Sequence, residues 1–398
     1  MTATLPTPSP TSTSNRWVGV GASSLEDSAA AGAAATSAAV RGHDTRLLIV
    51  FASPKHDLPA LVSGISSICP DAPMIGCSTA GEIATNGPGE SGVVVTALGG
   101  EGFSVQTAVS TNASQNLRAA GAHAAGCAER VAPRDHRLLL LLTDGLGGDQ
   151  QEVVRGAYSV VGSEVPLVGG CAGDDLAMQR TFQIHNGQVL EDAVVAASIT
   201  TDTPFGIGVQ HGWRRVGEPM LVTRSSSNRV YEIDDRPALD AYFERLQPPA
   251  EIRSDPAAFT RYAMTHPLGL SRRSGEEVRF IAEANFEDRS IGCIAEVPQG
   301  GLAWIMEGDD ASVLDATDAA CRQALDALDG RRPVGLLAFD CIARRGVLGD
   351  GGITNEVERI AGHAGGAPVA GFYTYGEIAR VRGVSGFHNQ TLVVLAFS

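Results

Sequence analysis

The sequence predicts an α/β fold: mixed sheets with covering helices, built from three related β-α-β-β units in a two-part architecture. Two observations carry this reading. The stretches PMIGCSTAGEIA, PLVGGCAGDDLA and PVAGFYTYGEIA, starting at Pro73, Pro166 and Pro368, align without a gap. Around each lies the same succession: an apolar run, a helical segment, the motif itself and a second apolar run. Continuous apolar runs read as strands buried on both faces, and strands separated by one helix pair in parallel. The second run then adds an antiparallel ladder.

The elements follow in chain order. Residues 1–15 are rich in Thr, Ser and Pro and lack the charged and apolar regions of a signal peptide, so a disordered tail is expected there. In the first unit LLIVFA (Leu47 to Ala52) is a strand, DLPALVSGISSI a helix started by Asp57 with Pro59 in its first turn, and PMIG and GVVVTAL are strands. In the second, LLLLLTDG is the strand, DQQEVVRGAYSVVG the helix, PLVGG the next strand, and AVVAASI follows a hairpin turn at Asn186 and Gly187.

Two long segments then intervene, EPMLVTRSSSNRVYEIDDRPALDAYFERL and VRFIAEANFEDRSIGCIAEVPQGGLAWIM, each read as strand pairs followed by a helix. The helix after the second runs from about Asp309 to Leu328, with Val313, Ala316, Ala320, Ala324 and Leu328 on one stripe. In the third unit PVGLLAFDC is the strand, TNEVERIAGHAG a helix with Thr354 as N-cap, and PVAGF and NQTLVVLAF are strands. Breaks near Pro237 and at QPPAEIRSDP set a boundary, giving domains over 16–240 and 241–398.

With 398 residues, 43% apolar and 19% charged, the chain has the composition of globular cores. A net charge of -15 and the lone lysine, Lys55, exclude a nucleic-acid backbone or an anionic membrane surface as partner. The LLLLL run at 138–142 is far short of the roughly 18 residues a spanning helix needs. Seven scattered cysteines without a Cys-x-x-Cys pair fit reduced thiols and a cytoplasmic location.

A strand that ends in glycine and small residues lets a ligand approach the backbone closely, and strand ends of this kind hold ligands in open α/β sheets. The candidate ligand-binding residues are therefore Cys77, Ser78, Thr79, Glu82, Cys171, Asp174, Asp175, Tyr373, Tyr375 and Glu377. Each acid has a second available role, which is to accept hydrogen bonds from loose backbone amides at its own turn. GCSTAGE resembles a nucleophile elbow, but Ala80 stands where that motif needs glycine; a hydrolase or transferase using Ser78 or Cys77 is kept as an alternative, with no catalytic residue assigned. No cofactor is required. His211 and His266 end apolar stretches and are the candidates for an axial haem ligand, held without covalent attachment because no CxxCH is present.

PMIGCSTAGEI, GGCAGDD, QHGWRRVG, HPLGL and GFYTYGEIARVRGVSGFHNQTLVVLAF together resemble the FIST sensory family, in its N- and C-terminal portions, over about residues 16–398. The resemblance implies a bacterial ligand-sensing module of signal transduction rather than an enzyme, with a small molecule such as an amino acid as ligand. It also implies relay to a separate signalling partner, since no kinase, cyclase or methyl-acceptor segment is recognisable. Similar proteins include haem-binding nitric oxide sensors that regulate a partner histidine kinase, which makes that the alternative.

Overall fold

A computed structural model of the chain describes residues 15–272, 275–381 and 386–398. The tail expected over 1–15 lies, apart from Asn15, outside the described residues. Mixed α/β architecture is observed, with three six-stranded sheets and an eight-stranded one among the described residues.

Each six-stranded sheet has a parallel pair at its centre: Thr45–Ala52 with Met74–Ser78, His136–Thr143 with Leu167–Cys171, and Gly335–Cys341 with Val369–Thr374. On the other side of the first strand of each pair runs an antiparallel one, Val93–Gly99, Ala193–Thr201 or Leu392–Phe397. A further antiparallel strand, Trp17–Ser23, Phe103–Thr111 or Phe205–Gln210, closes that edge.

The opposite edge is completed from elsewhere in the chain. The hairpin Glu82–Ala84 with Gly87–Gly89 pairs with Val369–Thr374 in the third sheet, and Gln183–His185 with Gln188–Leu190 pairs with Met74–Ser78 in the first. Glu377–Arg380 with Phe387–His388 pairs with Leu167–Cys171 in the second. Each motif thus lends the hairpin that follows it to a neighbouring sheet, and the three exchanges close a ring. Asn186 and Gly187 form the expected turn, both with positive φ, the backbone of a tight two-residue hairpin.

Alternate side chains of the central strands explain why those runs are apolar throughout. Leu47, Ile49 and Phe51, Leu138, Leu140 and Leu142, and Leu337 and Phe339 face one shared core between the sheets, where Phe51 and Phe372 lie 4.6 Å apart. Leu48 and Val50 face the helices Ser28–Ala39 and Leu58–Ile68, Leu139 and Leu141 face Leu117–Ala125 and Gln150–Val161, and Leu336 and Ala338 face Asp310–Asp326 and Ile342–Ala364. From Leu47, Leu138 and Gly335 onward every residue of these strands is buried, the condition under which a strand loses its two-residue polar alternation.

Helix starts follow their caps. Asp57 accepts from the Ala60 N–H, as the sequence predicts, and Asp149 caps the helix of the second unit by accepting from the Gln151 N–H. The third unit differs. Its helix begins at Ile342, twelve residues before Thr354, and breaks at Gly349, whose φ is 61°. Thr354 is therefore no N-cap; its hydroxyl donates to the Asp350 carbonyl inside the helix. The glycines at 346, 349, 351 and 352 mask this helix in the sequence, because glycine weakens helical pattern without forbidding it.

The eight-stranded sheet is built from Arg214–Ser226 through Leu302–Glu307 and carries the helices Ala238–Leu246 and Pro256–Met264 over its own core of Val222, Tyr242, Phe259, Leu268 and Ile305. The boundary read at residues 236–256 falls inside this segment. Among the described residues no helix is long and apolar enough to cross a membrane.

Candidate functional site

The three motifs meet. Ala80 N–H donates to the Tyr373 carbonyl, Gly173 N–H to that of Ser78, and Tyr375 N–H to that of Cys171, so each strand end is hydrogen-bonded to another. A cavity of about 490 Å³ lies over this junction. Each of the six central strands places a residue on its wall just beyond, or at, its C-terminal end: Lys55, Ala80, Gly145, Asp175, Cys341 and Tyr375. In open α/β sheets the carboxyl ends of parallel strands are where ligands bind, because loops diverge there and leave a crevice. Met264, Phe280 and Ile294, from the segment that builds the eight-stranded sheet, supply an apolar wall, and Arg345, Glu90, Asp350 and Asn389 add polar groups.

Of the residues singled out in the sequence, Asp175 and Tyr375 line the cavity. The others lie beneath or beside it. Thr79 Oγ1 donates to Glu82 Oε1 at 2.6 Å while Oε2 accepts from the Gly92 N–H at 3.0 Å. The third motif repeats this: Thr374 Oγ1 donates to Glu377 Oε1 at 2.5 Å, and Oε2 accepts from the Thr391 N–H at 3.1 Å. Both glutamates are buried latches that tie the start of a hairpin to the residue before the return strand. Burial pushes Glu82 up to about 7 and Glu377 up to about 8, against the donated hydrogen bonds that favour the anion.

The second motif has no such latch, since Ala172 replaces the threonine. There Asp174 accepts from the N–H groups of Met178, Gln179 and Arg180 and from the Tyr375 hydroxyl, and Asp175 turns to the cavity with φ 54°. Ser53 Oγ donates to Asp175 Oδ2 at 3.2 Å, and Lys55 stands 3.8 Å away. Burial raises the Asp175 carboxyl above its ordinary value despite that lysine. The acid that reaches the cavity sits where the repeat is broken.

Ser78 is fully buried, donates to the Gly173 carbonyl at 2.7 Å and accepts from the Phe182 N–H at 2.9 Å, which occupies its hydroxyl with structure. Cys77 and Cys171 are also fully buried; desolvation raises both thiols, Cys171 to about 12, far from the thiolate a nucleophile needs. All seven thiols are free. Tyr373 lies buried under the Arg345 guanidinium, 5.2 Å from its ring centre.

Neither candidate haem histidine lines the cavity. His211 Nδ1 accepts from the Trp213 N–H at 3.0 Å and burial lowers its ring to about 4; His266 stacks on Tyr262 at 4.3 Å. The cavity therefore offers haem no axial imidazole, and the residues present do not fit that group. Among the described residues no cluster of His, Cys, Asp and Glu is arranged to hold a metal ion.

Sequence reasoning missed Lys55, Arg345, Asp350 and Asn389 as wall residues. Lys55 carried a signal, being the lone lysine, placed a few residues beyond the end of an apolar strand. The other three carried none, because they reach the cavity through the early-starting helix and the turn before the final strand.

Comparison with known proteins bears on the whole chain. A protein of Mycobacterium tuberculosis, itself uncharacterised, is 24% identical over 392 residues, 96% of this chain and 99% of that one. An uncharacterised protein of Methanocaldococcus jannaschii is 26% identical over 170 residues, covering 40% of this chain and 32% of its own, so the match spans about a third of that relative. An uncharacterised protein of Mycobacterium bovis is 27% identical over 241 residues, 58% of this chain and 60% of its own. The crystal structure of a cyanuric acid hydrolase from A. caulinodans aligns over 47% of this chain and 72% of its own, at 13% identity and a TM-score of 0.28. The FIST N domain model matches residues 46–236 and the FIST C domain model residues 238–380, which covers most of the chain. The chain belongs to the FIST family of sensory domains.

Proposed function

We propose that this chain is a small-molecule sensor whose ligand seats in the cavity over the six strand ends and whose response passes to a separate signalling protein. The single observation that carries this is convergence: all three parallel pairs and the segment carrying Met264, Phe280 and Ile294 contribute to one wall. A ligand there touches elements separated by some 300 residues of chain, so differential contacts can shift how those elements sit together. A cavity that is mostly apolar with a few convergent polar groups is the usual form of a small-molecule site. The burial of Ser78, Cys77 and Cys171, with Ser78 and Cys171 also hydrogen-bonded within the fold, leaves the nucleophiles expected from the sequence unable to act in the cavity.

The experiment is a thermal-shift screen of a metabolite library, joined to mass spectrometry of whatever the purified protein retains. A compound that raises the melting temperature in a saturable way is expected. A broad library that produces no shift, together with no retained compound, contradicts the proposal. The same preparation shows whether a Soret band is present, which the geometry of His211 and His266 does not predict.

A further inference from the structure

Resting on that reading of the cavity, we propose that the ligand is a small organic amine: a protonated nitrogen on a compact apolar body, without a carboxylate. The cavity's own donors and acceptors are out of balance, and the imbalance has a sign. Its two cations are already engaged. Arg345 Nη1 donates to the Ala80 carbonyl at 2.7 Å and Nη2 pairs with Glu90 at 2.6 Å. Lys55 Nζ donates to Ser91 Oγ at 2.8 Å and to the Glu90 carbonyl at 3.3 Å.

The acceptors are in the opposite condition. Asn389 is 2% exposed, and its Nδ2 donates to the His388 carbonyl at 3.0 Å, which fixes the orientation of the amide. Its Oδ1 is buried with no partner. The Asp350 carboxylate forms no hydrogen bond or ion pair among the described residues, and Asp175 has only the Ser53 hydroxyl and the long contact to Lys55. The Asp350 and Asp175 carboxylates gain from a cation brought by a ligand, and Asn389 Oδ1, buried without a donor in a wall residue, regains a hydrogen bond from an N–H that reaches it. Burial raises the Asp175 carboxyl even though Lys55 and Arg345 both favour its anion, so a further cation brought against it is stabilising.

A carboxylate would do the reverse. It would add acceptors to a wall whose donors are occupied and meet three acids, Glu90, Asp175 and Asp350, against two committed cations. Met264, Phe280 and Ile294 define the surface for the apolar body.

The test is calorimetric titration of the full chain with isoamylamine, phenethylamine and tyramine, each set against the acid of the same body and against the corresponding amino acid. At least one amine is expected to bind about tenfold or more tightly than its acid and its amino acid. Asn389→Leu and Asp175→Asn should each lower that affinity by about tenfold, and Asp350→Asn by about threefold. Asp350 is exposed, so its variant keeps the fold if a buried change at Asn389 does not. An acid or amino acid that binds as tightly as its amine overturns the proposal, as does amine affinity unchanged in all three variants. A neutral or acidic metabolite that binds while no amine does also overturns it, and leaves the cavity reading standing. No binder of any kind overturns both.

Discussion

Glu82 and Glu377 hold equivalent places in their motifs and do the same work, each buried and joining a threonine hydroxyl to a distant backbone N–H. Two roles were open for these acids in the sequence, and the latch is the one the geometry shows. The sequence contained a clue in the Thr-x-x-Glu spacing common to the first and third copies and broken in the second. It lacked the partner, because Gly92 and Thr391 lie 10 and 14 residues away and come close only through the fold. Both acids are raised above the ordinary 4.5, to about 7 and about 8, so the folded protein binds more protons than the unfolded chain between those limits. Their contribution is complete below about 4.5 and is lost as pH rises through 7 and 8. Each proton held in this way makes stability fall by at most about 1.4 kcal/mol for every pH unit crossed. Urea unfolding from pH 5 to 8 should therefore show falling stability, and Glu377→Gln should flatten the fall; an unchanged slope in that variant contradicts the assignment.

Among the elements, the helix Ile342–Ala364 departs furthest from the sequence reading, and Arg344 in its first turn explains how it is held. The side chain is fully buried; Nε bonds Asp340 at 2.6 Å, Nη2 bonds Glu356 at 2.5 Å and Nη1 donates to the His211 carbonyl at 3.1 Å. One guanidinium thus ties a strand, two parts of a helix and the approach to the eight-stranded sheet, while its neighbours Ala343 and Arg345 line the cavity. Arg344→Met leaves two buried carboxyls facing each other and should cost about 3–5 kcal/mol in urea unfolding. Adding Asp340→Asn and Glu356→Gln should recover part of that loss; no recovery would show that packing rather than charge is at issue. Although Asp340 lies only four residues before Arg344 and Glu356 twelve after it, the glycines of ARRGVLGDGG hide the helix that brings the three together.

The helices of the first sheet have their own test. A Cβ at Gly64 would lie 2.0 Å from the Ala29 carbonyl, where Ser28–Ala39 and Leu58–Ile68 cross. Gly64→Ala should cost about 1–3 kcal/mol in thermal or urea unfolding, and a neutral outcome would mean that the crossing is looser than the structure has it. The central strands and the helix Leu58–Ile68 were legible because caps and apolar runs are local signals, whereas Ser28–Ala39, built mostly of alanine, serine and glycine, offers little apolar contrast. The pairing of the hairpins was not legible, because their partner strands belong to another unit, although the turn at Asn186 and Gly187 was.

At the scale of the molecule, three sheets share one core and trade hairpins in a ring, which brings three separated strand pairs to one rim. The repeated motif announced the units, but which sheet receives each hairpin is a matter of long-range pairing that no local pattern encodes. The same ring explains why the cavity is asymmetric in chemistry: the first and third motifs give their acids to latches, while the second gives Asp175 to the rim. Addition of the segment bearing Met264, Phe280 and Ile294 gives that rim an apolar wall.

The most direct measurement fills that site. Ile294 is partly buried on the cavity wall, outside the latches and the central core, so Ile294→Trp takes up cavity volume without touching them. Titration calorimetry of wild type and variant with the same ligand should show binding weakened at least about tenfold in the variant, with its circular dichroism and melting temperature close to wild type. Undiminished affinity in a folded Ile294→Trp protein would place the ligand elsewhere and contradict the account.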